Sequence, residues 1–151
     1  MNTIDPQKAA RVWQRVQGNV QLSDRALTAM ISAAWTTAST YLKLSRQFQG
    51  KESAMLRQLS EGEQAHIACL KGIYTLITGA HPAVRALPLT GQDPEAILRQ
   101  CYGKTMQILA DYENRAADPE YGPVFARLAD REKDHCRALL EIIGNLKKRN
   151  L

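Results

Sequence analysis

The sequence predicts an all-α protein, and three features support this prediction. Long-chain helix formers outnumber β-branched residues, and only 6% of the 151 residues are aromatic. Apolar residues recur at steps of three and four over long stretches. Acid–proline pairs, which are typical of helix starts, occur at Asp5-Pro6, Asp93-Pro94 and Asp118-Pro119. A chain of this length suits one domain with a full core.

These signals divide the chain into a leader and four long helices. The leader helix is predicted near residues 5 to 17, and the long helices near residues 23 to 48, 51 to 78, 94 to 116 and 119 to 147. Gly79 and Gly144 are predicted to end the second and fourth long helices. We therefore assign residues 1–21 to an N-terminal leader helix and residues 22–151 to a four-helix bundle.

The lengths of the connections predict how the long helices are arranged. Short connections at Gly50 and around Asp118 require antiparallel neighbours. The segment from residue 79 to residue 93 spans about 45 Å if extended, which is enough to return along a whole helix. The second and third long helices can therefore run parallel, with this segment as a long crossover.

Two of the four helices carry a glutamate and a histidine within their apolar stripes. The second helix has the stripe Leu56, Leu59, Glu63, His66, Leu70, Ile73 and Ile77, and the fourth has Phe125, Leu128, Glu132, His135, Leu139 and Ile142. Residues at this spacing share one helix face, so these glutamates and histidines are expected in the core. The stripes of the other two helices carry no charge: Leu27, Ile31, Ala34, Ala38 and Tyr41, and Cys101, Thr105, Ile108 and Tyr112.

The two Glu-x-x-His segments belong to an internal repeat. A shift of 69 positions lays the segment of the second helix onto that of the fourth, together with its apolar neighbours. Tyr41 and Tyr112 precede the two glutamates by 22 and 20 positions, so the likeness extends into the first and third helices. The chain is therefore interpreted as two related helical hairpins.

A Glu-x-x-His pair on an inward helix face is a metal-binding pattern. Residues three apart present a carboxylate oxygen and an imidazole nitrogen to one point. One copy would be equally consistent with an internal ion pair. Two copies at matching positions favour a metal site, present or ancestral, because unpaired charge inside a bundle is costly. The candidate metal ligands are Glu63, His66, Glu132 and His135.

These segments resemble the bacterial rubrerythrin-like, ferritin-like proteins. The likeness rests on residues 56–79 and 121–136 and extends from about Leu22 to Ile143. Members of that family are four-helix bundles with a carboxylate-bridged di-iron site that reacts with peroxide or dioxygen, or oxidises ferrous iron. The resemblance implies a ferritin-like antiparallel bundle whose ligands are two Glu-x-x-His pairs plus one further glutamate from each of the other helices.

The two further glutamates are absent from this chain. The family places each of them seven residues before the tyrosine of its helix, at the positions of Ala34 and Thr105. Asp111 adjoins the inward Tyr112 and is expected to point aside. Two carboxylates and two neutral imidazoles balance one divalent ion, whereas two irons would keep excess positive charge. We therefore expect one Fe, Zn or Mn ion and disfavour a conventional di-iron centre.

The other reactive side chains are assigned structural roles. Tyr41 and Tyr112 are expected to pack in the bundle with their hydroxyls bonded to carboxylates. Cys69, Cys101 and Cys136 lack the Cys-x-x-Cys spacing of a zinc ribbon or a rubredoxin-type iron centre and are expected to be reduced thiols. Any electron donor to the site would therefore be a separate protein.

Three functions fit these residues. The first is a ferritin-like metal-binding protein with a reduced, mononuclear Glu2His2 site and weak or altered redox activity. The second is a metal-free structural or interaction module, and the third is a rubrerythrin-type peroxidase or oxidase. The protein is expected to form a homo-oligomer.

Charge and the N-terminal residues limit the expected partners and location. Twenty basic and fifteen acidic residues give a net charge of +5, and the basic residues are scattered, so nucleic-acid binding is not expected. No apolar run approaches the roughly 20 residues of a membrane span. Residues 1–6 lack a basic segment followed by an apolar one, so no signal peptide is recognised and a cytoplasmic location is expected.

Overall fold

The computed structural model describes residues 5–8, 22–91 and 93–149. Its long helices are α1 (Asp24–Ser45), α2 (Gly50–Thr78), α3 (Pro94–Arg115) and α4 (Gly122–Arg149). No strand occurs among the described residues, so the prediction of an all-α protein is confirmed. Most of the predicted leader helix lies outside the described residues. Of its residues, 5–8 are described, and residues 6–8 are helical. No described helix combines the length and apolar character needed to cross a membrane.

Local side-chain and backbone chemistry fixes three of the helix ends. Ser23 caps α1 by accepting a hydrogen bond from a backbone N–H three residues on, at 3.1 Å. Asp93 caps α3 by accepting the N–H two residues on, also at 3.1 Å. These oxygens satisfy backbone donors that have no partner inside the helix. Gly79 ends α2 as predicted, with the left-handed φ of 72° that glycine adopts without strain.

The fourth long helix departs from its predicted bounds at both ends. The Asp118 carboxylate accepts hydrogen bonds from the backbone N–H groups of Glu120 and Tyr121. Residues 119–121 form a turn, and α4 begins after it, at Gly122. The predicted stop at Gly144 is wrong, because the helix continues to Arg149. Leu146, beyond the glycine, still packs against the core, which favours continued helix.

Contacts among the helices define two hairpins packed side by side. α1 packs along α2, and α3 packs along α4. The hairpins meet where α1 contacts α3 and where α2 contacts α4. No close backbone approach joins α1 to α4 or α2 to α3 in the part of the chain that the structure describes, so these pairs lie on the diagonals of the bundle.

The core has two halves, which give the direction of each helix. One half joins the end of α1, the starts of α2 and α3 and the end of α4, through residues such as Tyr41, Leu56, Leu98 and Leu139. The other half joins the opposite ends of the same helices, through residues such as Ile31, Leu70, Ile108 and Phe125. The starts of α2 and α3 therefore lie in the same half of the bundle, and residues 79–93 connect the end of α2 to the start of α3.

Candidate metal centre

The two Glu-x-x-His pairs meet inside the bundle, where α2 and α4 face each other. One ligand atom from each of Glu63, His66, Glu132 and His135 lies within 4.8 Å of the other three. The first three residues are at most 1% exposed, and the His135 side chain is 13% exposed. The structure thus brings together the four side chains that the sequence selected, and this group can hold a metal ion.

Each histidine of the group faces the glutamate of the other helix. His135 Nδ1 lies 2.9 Å from Oε1 of Glu63, and His66 Nδ1 lies 3.0 Å from Oε2 of Glu132. Within each helix, the corresponding nitrogen–oxygen distances are longer, at 3.8 Å in α2 and 3.5 Å in α4. The two imidazole rings stack with their centroids 5.1 Å apart. Both Nδ1 atoms are therefore on the side of the rings that faces the carboxylates.

Several polar atoms of this group have no hydrogen bond among the described residues. They are Oε2 of Glu63, both nitrogens of His66 and both carboxylate oxygens of Glu132. His66 Nδ1 and Glu132 Oε2 are only 3.0 Å apart, yet they are not aligned as donor and acceptor. Buried polar atoms ordinarily have partners. Lone pairs that approach one another without bonding fit a shared metal ion.

Glu52, another buried carboxylate of α2, is paired with a cation of the protein, as buried carboxylates usually are. Glu52 is 2% exposed and forms an ion pair with the guanidinium of Arg149. The ion-pair contacts of Glu63 and Glu132 within the described residues are with histidines instead. An imidazole can bind a metal, whereas a guanidinium cannot, so the partners of this group keep it suited to a cation.

Protons balance part of the charge of the metal-free group. Burial raises the pKa of Glu63 well above its usual value, and the neighbouring Glu132 raises it further. Burial acts in the same direction on Glu132, but the adjacent Glu63, His135 and His66 outweigh it and lower that pKa to about 2. Burial opposes the charging of His135, yet the two carboxylates raise its pKa to about 10. Without a metal, Glu63 and His135 therefore hold protons more readily than usual, and Glu132 holds one less readily.

Gly62 of α2, a residue that the sequence prediction missed, leaves the space beside its Cα to the His135 ring. A Cβ atom at this position would lie 2.6 Å from Nε2 and 2.9 Å from Cε1 of the imidazole. Any other residue would therefore push the ring from its place. A sequence signal did exist, because glycine inside a helix costs about 1 kcal/mol relative to alanine and here directly precedes a candidate ligand.

Replacing Gly62 by alanine should weaken metal binding. The added methyl group displaces the His135 imidazole, and residues that orient metal ligands typically contribute roughly 10- to 100-fold in affinity. Gly72 lies on the same helix with open space around its Cα, so Gly72→Ala is the matched control and should leave affinity unchanged while stabilising the helix. Competition with a chelator of known affinity measures the difference. Equal affinities in the two variants would show that the Gly62 contact does not position a ligand.

The positions of the family's further glutamates hold short uncharged side chains. Ala34 and Thr105 are fully buried. The Thr105 hydroxyl is hydrogen-bonded to the Tyr41 hydroxyl at 2.8 Å. Asp111 is exposed, as expected, and does not join the candidate site. The group of potential ligands among the described residues therefore contains two carboxylates.

The sequence predicted the burial of Tyr41 and Tyr112 but not the hydrogen bonds of their hydroxyls. Tyr41 and Tyr112 are buried as expected, but the expected bonds to carboxylates are absent among the described residues. Tyr41 bonds Thr105 instead, and the Tyr112 hydroxyl has no partner there. Cys101 is buried, and burial raises its pKa to about 12, so it stays a protonated thiol.

Comparison of the chain with protein-family models, with curated proteins and with solved structures gives no match. The likeness to rubrerythrin-like proteins therefore stays a prediction from the sequence motifs. The geometry of the Glu/His group carries the functional argument instead.

Proposed function

We propose that the protein binds one divalent metal ion inside its helical bundle, through Glu63, His66, Glu132 and His135. The observation that carries this proposal is the convergence of one ligand atom from each side chain within 4.8 Å, while several polar atoms of these side chains lack hydrogen bonds among the described residues. Two carboxylate oxygens and two imidazole nitrogens suit Zn, Fe or Mn. Two negative charges balance one divalent ion, so the arrangement favours a mononuclear site.

The surroundings of the group define what it would do with a metal. Three of the four side chains are shielded from water, and only His135 reaches the surface of the bundle. Iron or manganese, when bound, would supply one-electron chemistry. The chain itself would hold the ion in a fixed, water-poor setting and limit access to the His135 edge. We therefore propose weak or altered redox activity, for which a separate protein would donate the electrons. We also propose that the chain forms a homo-oligomer.

A rubrerythrin-type peroxidase or oxidase is the less favoured proposal. Such a site needs carboxylates that bridge two irons, and the candidate positions are occupied by Ala34 and Thr105. A second metal ion would leave excess positive charge in the core, which is costly without compensating ligands.

One observation favours a metal-free structural or interaction module as the second candidate. Nδ1 of His135 is hydrogen-bonded to Oε1 of Glu63 at 2.9 Å, and the same nitrogen lies 3.5 Å from Oε2 of Glu132. With protons on Glu63 and His135, the metal-free group is internally balanced in charge. The bundle would then keep the Glu/His group as a buried polar network.

Proton release on metal addition distinguishes these two functions. Metal ligation requires His135, whose pKa is raised to about 10, to lose its proton, and Glu63, whose pKa is raised, to lose any proton that it holds, so we expect binding to release about one to two protons per ion. Affinity should rise with pH, by about tenfold per pH unit for each displaced proton. Zn(II) or Mn(II) added to weakly buffered, chelator-treated protein with a pH indicator measures both quantities. Mg(II), which prefers oxygen ligands, is the control. Neither proton release nor binding would support the metal-free module.

A further inference from the structure

Tyr112 places an unpartnered hydroxyl beside the Glu/His group. The residue is 0% exposed, and its hydroxyl has no hydrogen-bond partner in the described part of the chain. Its ring meets the His66 imidazole edge-on, with centroids 6.0 Å apart. A tyrosine hydroxyl carries its proton at neutral pH, so the Tyr112 hydroxyl is a hydrogen-bond donor. A buried donor without an acceptor is unfavourable and indicates a missing ligand or water.

The internal repeat provides a comparison within the same molecule. Tyr41 is the repeat counterpart of Tyr112, is equally buried and is hydrogen-bonded to Thr105 at 2.8 Å across the bundle. Thr105 lies seven residues before Tyr112, and Ala34 lies seven residues before Tyr41. The counterpart of Thr105 is therefore Ala34, whose methyl group cannot accept a hydrogen bond. The described part of the chain supplies a hydrogen-bond partner for Tyr41 and none for Tyr112.

We propose that Tyr112 binds a small oxygen-donor ligand at the metal site, either water or a carboxylate of the size of formate. The ligand would bond the metal through one lone pair and accept the Tyr112 hydrogen with another. This inference rests on the proposed function, because it requires the ion held by the Glu/His group.

Charge and space restrict the class of ligand. Glu63 and Glu132 already neutralise a divalent ion, so a neutral molecule or a monoanion fits better than a more highly charged anion. The Tyr112 ring lies against two other rings, those of His66 and Phe125, with centroids 6.0 and 6.3 Å away. Only a ligand of a few atoms suits a position this closely packed.

Formate titration of Co(II)-loaded protein, followed by visible absorption, tests the proposal. The unmodified chain should show a saturable spectral change. Tyr112→Phe should bind formate roughly 10- to 100-fold more weakly, since a hydrogen bond to a charged acceptor is lost. Tyr41→Phe is the matched control: it breaks the bond to Thr105 and should leave formate affinity unchanged. Ala34→Ser, which offers Tyr112 an acceptor from the protein, should also weaken formate binding and serves if Tyr112→Phe does not fold.

The possible results distinguish water from formate as the ligand, and they distinguish a failure of the Tyr112 proposal from a failure of metal binding. If formate does not bind but Tyr112→Phe alters the Co(II) spectrum, the ligand is water and the proposal stands. Identical spectra and formate affinities in the unmodified chain, Tyr112→Phe and Ala34→Ser would overturn it. Failure of the unmodified chain to bind Co(II) would instead contradict the proposed function on which it rests.

Discussion

Replacement of both His66 and His135 by alanine is expected to abolish metal binding. The two Nδ1 atoms are the nitrogen ligands of the proposed site, and their loss leaves two carboxylates of which Glu63 binds a proton readily. Such a pair is a poor site for Zn, Fe or Mn. Elemental analysis after dialysis against trace metal measures the loss, with circular dichroism to verify that the variant is helical.

The matched control for the double replacement is His81→Ala. His81 is exposed in the segment between α2 and α3 and is not a member of the Glu/His group, so its removal should leave metal content unchanged. Removing histidines from a buried charged network can cost about 3–5 kcal/mol of stability. The single variant His135→Ala, at the partly exposed edge, therefore repeats the test if the double variant unfolds. Metal content equal to that of the unmodified chain in a folded variant would place the site elsewhere.

Introducing glutamate at both Ala34 and Thr105 should convert the site into a two-metal centre. Four carboxylates around two imidazoles suit two divalent ions. Both positions are fully buried, so without metal the new side chains should raise neighbouring carboxylate pKa values by desolvation and like-charge repulsion and should lower stability. Added iron should reverse that loss by binding the native state. We expect about two irons per chain and a gain of ferrous oxidation by dioxygen.

Thr105→Ala is the control for this double variant, because any change at Thr105 also breaks its bond to Tyr41. Thermal unfolding with and without Fe(II) separates the lost hydrogen bond from the buried charge. The account of the two positions would fail if the double variant unfolded whether or not iron was present, or bound no more metal than the parent. The metal-free interaction module would then become the leading interpretation.

The sequence anticipated those features that depend on helical spacing. Glu63 and His66 share a face because they are three residues apart, and the same holds for Glu132 and His135, so their inward position followed from the apolar stripes. The length of the segment from residue 79 to residue 93 likewise allowed the second and third long helices to run parallel. Both predictions rest on the spacing of residues along one helix and on the length of one connecting segment, and both quantities can be read from the sequence.

Features that depend on contacts between helices were missed. Gly62 leaves space for the ring of His135, 73 positions away in sequence; a glycine inside a helix is a local signal, but it does not reveal which residue lies opposite. The bond from Tyr41 to Thr105 likewise joins α1 to α3 over 64 positions. At Gly144, the local preference of glycine for helix ends was outweighed by packing of the residues that follow it.

The number of metal ions bound per chain tests the central claim most directly. Chelator-treated protein should be loaded anaerobically with Fe(II), and separately with Zn(II), then freed of excess ion and analysed for metal and protein together. Charge balance at Glu63 and Glu132 predicts one tightly held ion per chain with either metal. Two irons per chain with the spectrum of an oxo-bridged pair, or no bound metal under any condition, would contradict the account.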